Sequence, residues 1–206
     1  MKKLIILLFI SHFTIAQNFK AVKDTSALKQ KIESMSKAVN SIESDFTQVK
    51  SLNMLSEKIT SKGSFKFKKE NMLRWEYNTP YKYLIVINKD KIWIRDEKKT
   101  QKYDMNSNKV FKEINDVMMS CVQGNIFKSG KFKVAYFESE KYYKLELIPL
   151  QKNMKESLKK INMYFDKNVT SVNKLDMIEP NDDYTTLEFN LKSQNAPLQD
   201  NIFTVK

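Results

Sequence analysis

The feature that most constrains the fold is a change of hydrophobic period at Ser41. From there onward apolar side chains alternate with polar ones, as in Phe65-Lys66-Phe67-Lys68 and Leu73-Arg74-Trp75-Glu76-Tyr77. Strict alternation is typical of β-strands that bury one face. About ten such segments follow one another as far as Leu191, and short polar links join them. Links of this length predict an antiparallel meander rather than a parallel sheet.

Two segments have helical periodicity instead. Apolar residues over Leu28–Val39 recur at helical spacing after Asp24, which suits an N-cap, and this predicts a helix over 24–40. A second helix is predicted over Lys112–Gln123, directly before Gly124, a common helix stop. A helix inserted between strands must lie over a sheet face or an open barrel mouth. The predicted fold is therefore mainly β with an α component, a curved antiparallel sheet with a helical cover.

The N-terminal segment is typical of a secretory signal peptide. Two lysines precede an apolar run over Leu4–Phe13, and Thr14 and Ala16 are small enough for the specificity positions of a cleavage site. Cleavage after Ala16 would leave a single exported domain over residues 17–206 and lower the net charge from +12 to +10. A retained N-terminal anchor is the alternative.

Residue counts exclude several classes of chemistry. Cys121 is the only cysteine, and His12, the only histidine, lies in the predicted signal peptide. The mature chain would then have no intramolecular disulfide, no histidine-dependent catalytic triad and no histidine-bearing zinc site. The lysines are scattered rather than grouped with aromatic residues, which argues against nucleic-acid binding. Ser–Lys and paired-carboxylate chemistry remain open on these counts, but no spacing in the sequence suggests a catalytic cluster. We predict a monomer that is not an enzyme and holds no cofactor or metal.

Aromatic residues and methionines are abundant, with 13 Phe, 9 Tyr and 10 Met. If a curved sheet encloses more volume than its side chains fill, the remaining space is a ligand cavity. Flexible methionine side chains suit a cavity that must adapt to acyl chains. Ordinary core packing by the same residues is the alternative explanation.

Three motifs, in order, carry a resemblance to a known family. They are Ser44-Asp45-Phe46-Thr47-Gln48, Arg74-Trp75-Glu76-Tyr77-Asn78-Thr79-Pro80, and Asn88-Lys89-Asp90-Lys91-Ile92-Trp93 with Gln101 beyond it. This order resembles the outer-membrane lipoprotein carrier family, LolA. The resemblance implies an unclosed antiparallel β-barrel with a helical lid over a hydrophobic cavity. It also implies a periplasmic carrier that takes acylated lipoproteins from an inner-membrane export complex to an outer-membrane acceptor.

We expect the ligand to contact apolar side chains of both the strands and the lid helix. These candidate ligand-binding residues are Phe65, Phe67, Leu73, Trp75, Trp93, Val117, Met118, Cys121 and Val122. Permanent core packing of the lid helix is the alternative.

One position departs from the family pattern. Members often have a basic residue followed by proline where this chain has Lys69-Glu70, and the resemblance implies that Lys69 is the lid latch. Lysine keeps the charge of an arginine but lacks its planar fork of donors, so a weaker latch is expected. The departure leaves two alternatives open: a LolA-like carrier of another lipid, such as a glycolipid or a polyene ester, and a sensor or interaction module with this fold.

Overall fold

The computed structural model describes residues 18–55, 57–105, 119–120 and 126–205. The predicted signal peptide, and all of the predicted lid helix except Met119 and Ser120, lie outside these described residues. Within the described ranges we find no helix that combines the length and the apolar character needed to cross a membrane.

The fold is mainly β, as the alternating pattern predicts. Twelve antiparallel strands form one sheet in the order β1-β8-β9-β10-β11-β12-β2-β3-β4-β5-β6-β7, so β1 and β7 are its edges and the sheet is unclosed. The strands are β1 (Lys20–Ala21), β2 (Ser41–Leu52), β3 (Glu57–Lys68), β4 (Met72–Thr79), β5 (Tyr83–Asn88), β6 (Lys91–Arg95), β7 (Thr100–Asp104), β8 (Phe132–Glu138), β9 (Tyr142–Pro149), β10 (Lys160–Asp166), β11 (Val172–Ile178) and β12 (Tyr184–Gln194). The predicted fold class is confirmed, and the two strands beyond the predicted ten are the edge strands.

The first predicted helix is confirmed as α1 (Thr25–Ala38). It begins where the Asp24 carboxylate accepts hydrogen bonds from the backbone N–H groups of Ser26 and Ala27, both at 3.0 Å. This is N-cap geometry, which satisfies two of the otherwise unpaired donors of the first turn. A short helix, α2 (Lys152–Lys155), lies between β9 and β10. Three 3₁₀ turns complete the described elements: Asn53–Leu55, Ile126–Lys128 and Asp200–Phe203.

We call the sheet face that contacts α1 the inner face. It carries two hydrophobic clusters, one at each end of α1. The helix-covered cluster joins Leu28 and Ile32 of α1 to strands β8–β10 and to the segments that flank them, through Ile126, Phe132, Leu145, Leu147, Ile161, Met163, Phe165 and Val169. The aromatic cluster lies on β2–β6 and β12 and consists of Val39, Phe46, Phe65, Phe67, Leu73, Trp75, Ile87, Ile92, Met105, Met119 and Leu187.

The opposite, outer face is covered in one place by the C-terminal segment, residues 198–205. Phe203 of this segment is fully buried and packs with Met72, Leu84 and Val86 of β4 and β5. The Lys68 ammonium ties the segment to β3, because it donates to the Leu198 carbonyl at 2.9 Å and forms an ion pair with Asp200. The outer face of β4 and β5 is therefore a small core of its own.

Candidate functional site

The register of β2 to β6 arranges the inner face in cross-strand rows that run from apolar to polar. The first row, which we call the aliphatic row because four of its five members are aliphatic, consists of Ile42, Phe67, Leu73, Ile87 and Ile92. The tryptophan row next to it consists of Ser44, Phe65, Trp75, Ile85 and Ile94. A third, aromatic row consists of Phe46, Gly63, Tyr77 and Tyr83, and a fourth, polar row contains Gln48 and Ser61.

Trp75 lies at the centre of this surface. Its ring centroid is 4.4 Å from that of Phe46 and 5.4 Å from that of Phe65, and it meets Phe189 of β12 edge-on at 6.2 Å. Offset and edge-on ring pairs of this kind stabilise a cluster beyond simple area burial. Trp75 is only 7% exposed, yet its Nε1–H has no hydrogen-bond acceptor in the described part of the chain.

A polar pair borders the aromatic row. The Tyr77 hydroxyl donates to Gln48 Oε1 at 2.9 Å, and Ser61, which is opposite Gln48 in the register, is buried. Burial raises the pKa of the Tyr77 phenol above its ordinary value, because the phenolate would be poorly solvated there. The phenol therefore stays protonated and remains a hydrogen-bond donor.

Gly63 allows the aromatic row to pack closely. A Cβ atom at this position would lie 2.0 Å from the Glu76 carbonyl oxygen and 2.6 Å from Cζ of Phe46. The Phe46 ring therefore covers the glycine directly across the strand pair, and no side chain fits between them. The register of β3 against β4 also shifts here, between Lys62 and Gly63.

The structure brings together four of the predicted ligand-binding residues. Phe65, Phe67, Leu73 and Trp75 all belong to the aromatic cluster and are buried. Trp93 is not among them: it lies opposite Val86 in the register and packs on the outer face, against the cluster that contains Phe203. The four predicted lid residues, Val117, Met118, Cys121 and Val122, lie outside the described residues.

Seven other members of the aromatic cluster are absent from the predicted ligand-binding residues, and three of the seven come from outside the strands. Val39 follows the end of α1, Met105 follows β7, and Met119 comes from the predicted lid; all three are buried against the strands. Met119 could have been predicted as a ligand-binding residue from its position in the predicted lid helix, one residue after Met118.

The predicted latch residue, Lys69, contacts helix α1. Its ammonium donates to the main-chain carbonyl of Lys37 at 2.7 Å, and its backbone N–H donates to the carbonyl of Asn40 at 2.8 Å. A cation at a helix C-terminus interacts favourably with the carbonyl dipoles there. Apart from Met119 and Ser120, the residues of the predicted lid that could contact Lys69 lie outside the described residues.

The next residue shows why the family's proline is absent. Glu70 has a φ of 75°, a left-handed conformation that the proline ring cannot adopt. The turn from β3 to β4 therefore takes a different backbone path from one built on a basic residue and proline. Lys89, at the turn where the family has glycine, likewise has a positive φ of 57°.

A groove of about 520 Å³ lies where β12, β2, β3 and β4 meet. Phe46 of the aromatic cluster and Phe189, which packs against it, line the groove together with the charged residues Asp45, Lys62 and Glu188. Among the described residues we find no group of three or more His, Cys, Asp or Glu that could hold a metal ion.

An unclosed antiparallel sheet with a helix packed across one face defines the class of open, barrel-like β folds. Residues 37–206 match the family model described as "Outer membrane lipoprotein carrier protein LolA", and the chain therefore belongs to the LolA family. The resemblance carried by the three motifs is confirmed. LolA-family proteins are carriers rather than enzymes as a rule.

Several solved structures are similar to this chain at low sequence identity. An uncharacterized conserved protein from Thermus thermophilus is similar with a TM-score of 0.50 and 8% identity, over 87% of this chain and 93% of that one. A LolA superfamily protein from Nitrosomonas europaea is similar with a TM-score of 0.44 and 11% identity, over 86% and 97%. The lipoprotein LppX from Mycobacterium tuberculosis is similar with a TM-score of 0.45 and 9% identity, over 85% of this chain and 99% of that one. No curated protein matches the chain by sequence.

Proposed function

We propose that this protein is an exported carrier that binds the acyl chains of lipoproteins on its inner face and takes them across the periplasm. The observation that carries the proposal is the aromatic cluster: an apolar surface across β2–β6 and β12 with a buried tryptophan at its centre. Membership of a lipoprotein-carrier family supports the same interpretation. The inner-membrane export complex and the outer-membrane acceptor are the partners that such a route requires.

Simple energetics limit how much of the cargo is enclosed. Each buried methylene contributes about 0.8 kcal/mol, so three chains of about sixteen carbons would contribute roughly 38 kcal/mol if fully buried. That total exceeds the roughly 20 kcal/mol at which non-covalent affinities saturate, and a carrier must also release its cargo. We therefore infer that only part of each chain is enclosed and that the cover of the cluster moves as cargo enters.

Methionines are suited to that movement. Met105 and Met119 pack on the aromatic cluster, and a thioether side chain can change shape to fit an acyl chain. Helix α1 is a poorer candidate for a moving part, because its buried residues belong mainly to the helix-covered cluster. We propose that the segment around Met119, with Val117, Met118, Cys121 and Val122, is the lid, and that the mature chain over 17–206 is a single domain.

One observation favours a second candidate function, a carrier of the same fold for another lipid. The turn at Lys69-Glu70 departs from the family pattern in both sequence and backbone conformation, because Glu70 has a positive φ. A different turn beside the inner face would suit cargo of a different shape, such as a glycolipid or a polyene ester.

Mass spectrometry of organic extracts from protein purified out of its native periplasm tests the proposal. Acylated peptides support the lipoprotein carrier, and a glycolipid or polyene ester supports the second candidate. Absence of any lipid, together with no binding of a fluorescent acyl probe, would contradict both.

Two neighbouring substitutions provide a matched pair for probe binding. Phe65 faces inward in the aromatic cluster, whereas Lys66, the next residue along β3, forms an ion pair with Glu43 at 2.9 Å. Phe65→Ser should weaken binding of the acyl probe, and Lys66→Ser should leave it unchanged. Circular dichroism checks that both variants are folded.

A further inference from the structure

We propose that the Trp75 indole N–H donates a hydrogen bond to a neutral carbonyl oxygen of the bound acyl lipid, and so selects ligands that carry an ester or amide. The inference rests on the proposed function and adds to it a specificity-determining residue and the chemical class of the ligand's polar group.

The starting observation is an unpaired donor in a buried place. Trp75 is 7% exposed, and its Nε1 has no hydrogen-bond partner among the described residues. A buried donor without an acceptor costs free energy, and buried indole N–H groups usually find a partner. A ligand that supplies an acceptor would remove this cost, so the unpaired N–H favours such a ligand over a hydrocarbon.

The neighbours of Trp75 do not supply the acceptor. Phe46, Phe65 and Phe189 surround it with rings that carry no oxygen. The Tyr77 oxygen lies close enough for the indole N–H to offset part of the rise in the Tyr77 pKa, but the two groups are not in hydrogen-bond geometry. The Tyr77 hydroxyl instead gives its own proton to Gln48.

The position of the donor fits an amphiphile. Trp75 lies between the aliphatic row of Phe67 and Leu73 and the rows that contain Tyr77 and Gln48. A lipid that lies along the strand direction, with its chain over the aliphatic row, would place its first polar atom near Trp75 and its headgroup towards Gln48. The buried residues that the structure describes include no charged side chain, so none of them could pair with a carboxylate beside Trp75. A neutral carbonyl is therefore favoured over a carboxylate.

Two lipids that differ only in this oxygen provide the test. Displacement of a fluorescent acyl probe by 1,2-dipalmitoylglycerol is compared with displacement by its dihexadecyl ether analogue, which has no carbonyl. We expect the wild-type protein to prefer the ester by about fivefold to tenfold, the effect of one hydrogen bond made to a buried donor. Trp75→Phe keeps an aromatic ring but lacks the N–H, and this variant should bind the ester and the ether about equally well.

Trp93→Phe is the matched control, because it removes the other indole N–H of the chain from the outer face and should keep the preference. NMR adds an independent measurement, since the two tryptophans give two indole N–H signals that these variants assign. The Trp75 signal should move downfield with the ester and not with the ether.

Equal binding of ester and ether by the wild-type protein would overturn the carbonyl contact while leaving the carrier function standing. An ester preference that persists in Trp75→Phe would overturn it as well. If neither lipid binds, the proposed function fails too. A diacylglyceryl-cysteine peptide measured beside free dipalmitoylglycerol identifies the source of the ester. If either ligand binds more tightly than the ether, and the difference depends on Trp75, the contact is supported. The tighter of the two ester ligands identifies the cargo.

Discussion

The two clusters of the inner face share one sheet and one helix, yet they are built differently. The helix-covered cluster is mainly aliphatic, and α1 closes it with Leu28 and with Ile32, which is 0% exposed. The aromatic cluster has a tryptophan with an unpaired N–H at its centre, and Met105 and Met119 pack on it.

The difference lies in how each cover is held. Helix α1 is fixed at both ends: Asp24 caps its start, while Lys69 and Asn195 donate to the carbonyls of Lys37 and Ala38 at its end. The aromatic cluster meets only the end of α1, through Met35 and Val39, and Met105 and Met119 add two flexible thioether side chains from outside the strands. We propose that the helix-covered cluster is a permanent core and that the aromatic cluster accepts the ligand.

The largest effect is expected in the helix-covered cluster. Ile32→Ala removes methylene groups from a fully buried site and should lower the free energy of unfolding by about 2–5 kcal/mol, because the cavity it leaves cannot collapse. Urea denaturation measures the loss. Ile32→Val, a smaller change at the same site, should cost about 0.5–1.5 kcal/mol. A negligible loss in both variants would show that α1 is not a fixed cover.

Trp75→Ala tests whether the aromatic cluster, unlike the helix-covered cluster, adapts to a truncated side chain and binds a ligand. A buried tryptophan in an ordinary core costs about 3–5 kcal/mol when it is truncated. Because Met105 and Met119 can move into the space, we expect a smaller loss, below about 3 kcal/mol, together with an acyl-probe affinity at least about tenfold weaker. A full-sized loss of stability with unchanged probe affinity would mean that both clusters are permanent core.

The sequence predicted the aromatic cluster better than its surroundings. Alternation placed Phe65, Phe67 and Trp75 on one face because each strand has a period of two. It could not show that Trp93 faces outward, since that depends on pairing with Val86 and on the C-terminal segment, whose packing is long-range. Alternation also missed β1, which has two residues, and β7, whose sequence Thr-Gln-Lys-Tyr-Asp is largely polar.

The contact between Lys69 and the end of α1 is another long-range feature that the sequence pattern could not predict. A turn residue can be recognised from sequence, but its contact with the end of α1 joins residues 32 positions apart. Only the folded chain brings them together. For the same reason the sequence pattern could not reveal that Glu70 has a positive φ.

Lys69→Leu separates its two possible roles and has an intermediate effect. Loss of the hydrogen bond to the Lys37 carbonyl should lower the free energy of unfolding by about 1 kcal/mol, because the last turn of α1 loses a cationic donor. Lys69→Arg should retain most of this stability. Stopped-flow release of an acyl probe tests the latch proposal: a rate that changes in Lys69→Leu supports it, and an unchanged rate leaves Lys69 as an anchor of α1 alone.

The smallest effect concerns the third cover, the C-terminal segment on the outer face. The hydrogen bond from Lys68 lowers the pKa of the Asp200 carboxyl below its ordinary value of 3.8. A carboxyl with a lowered pKa stabilises the folded state above the unfolded pKa, and its contribution is lost as the pH falls through the lowered value. The C-terminal segment should therefore loosen only below about pH 4.

Trp93 reports this change because it packs in the same outer cluster as Phe203. In a Trp75→Phe background, Trp93 fluorescence should shift as the pH falls below about 4, and Asp200→Asn should remove most of that shift. Since Asp200 is exposed, its ion pair contributes little, and the shift should also shrink at high salt. An unaltered shift in Asp200→Asn would assign the acid sensitivity to other carboxylates. The outer face would then be held by the burial of Phe203 and by the hydrogen bonds that Lys68, Arg74 and Asn88 donate to the carbonyls of the segment.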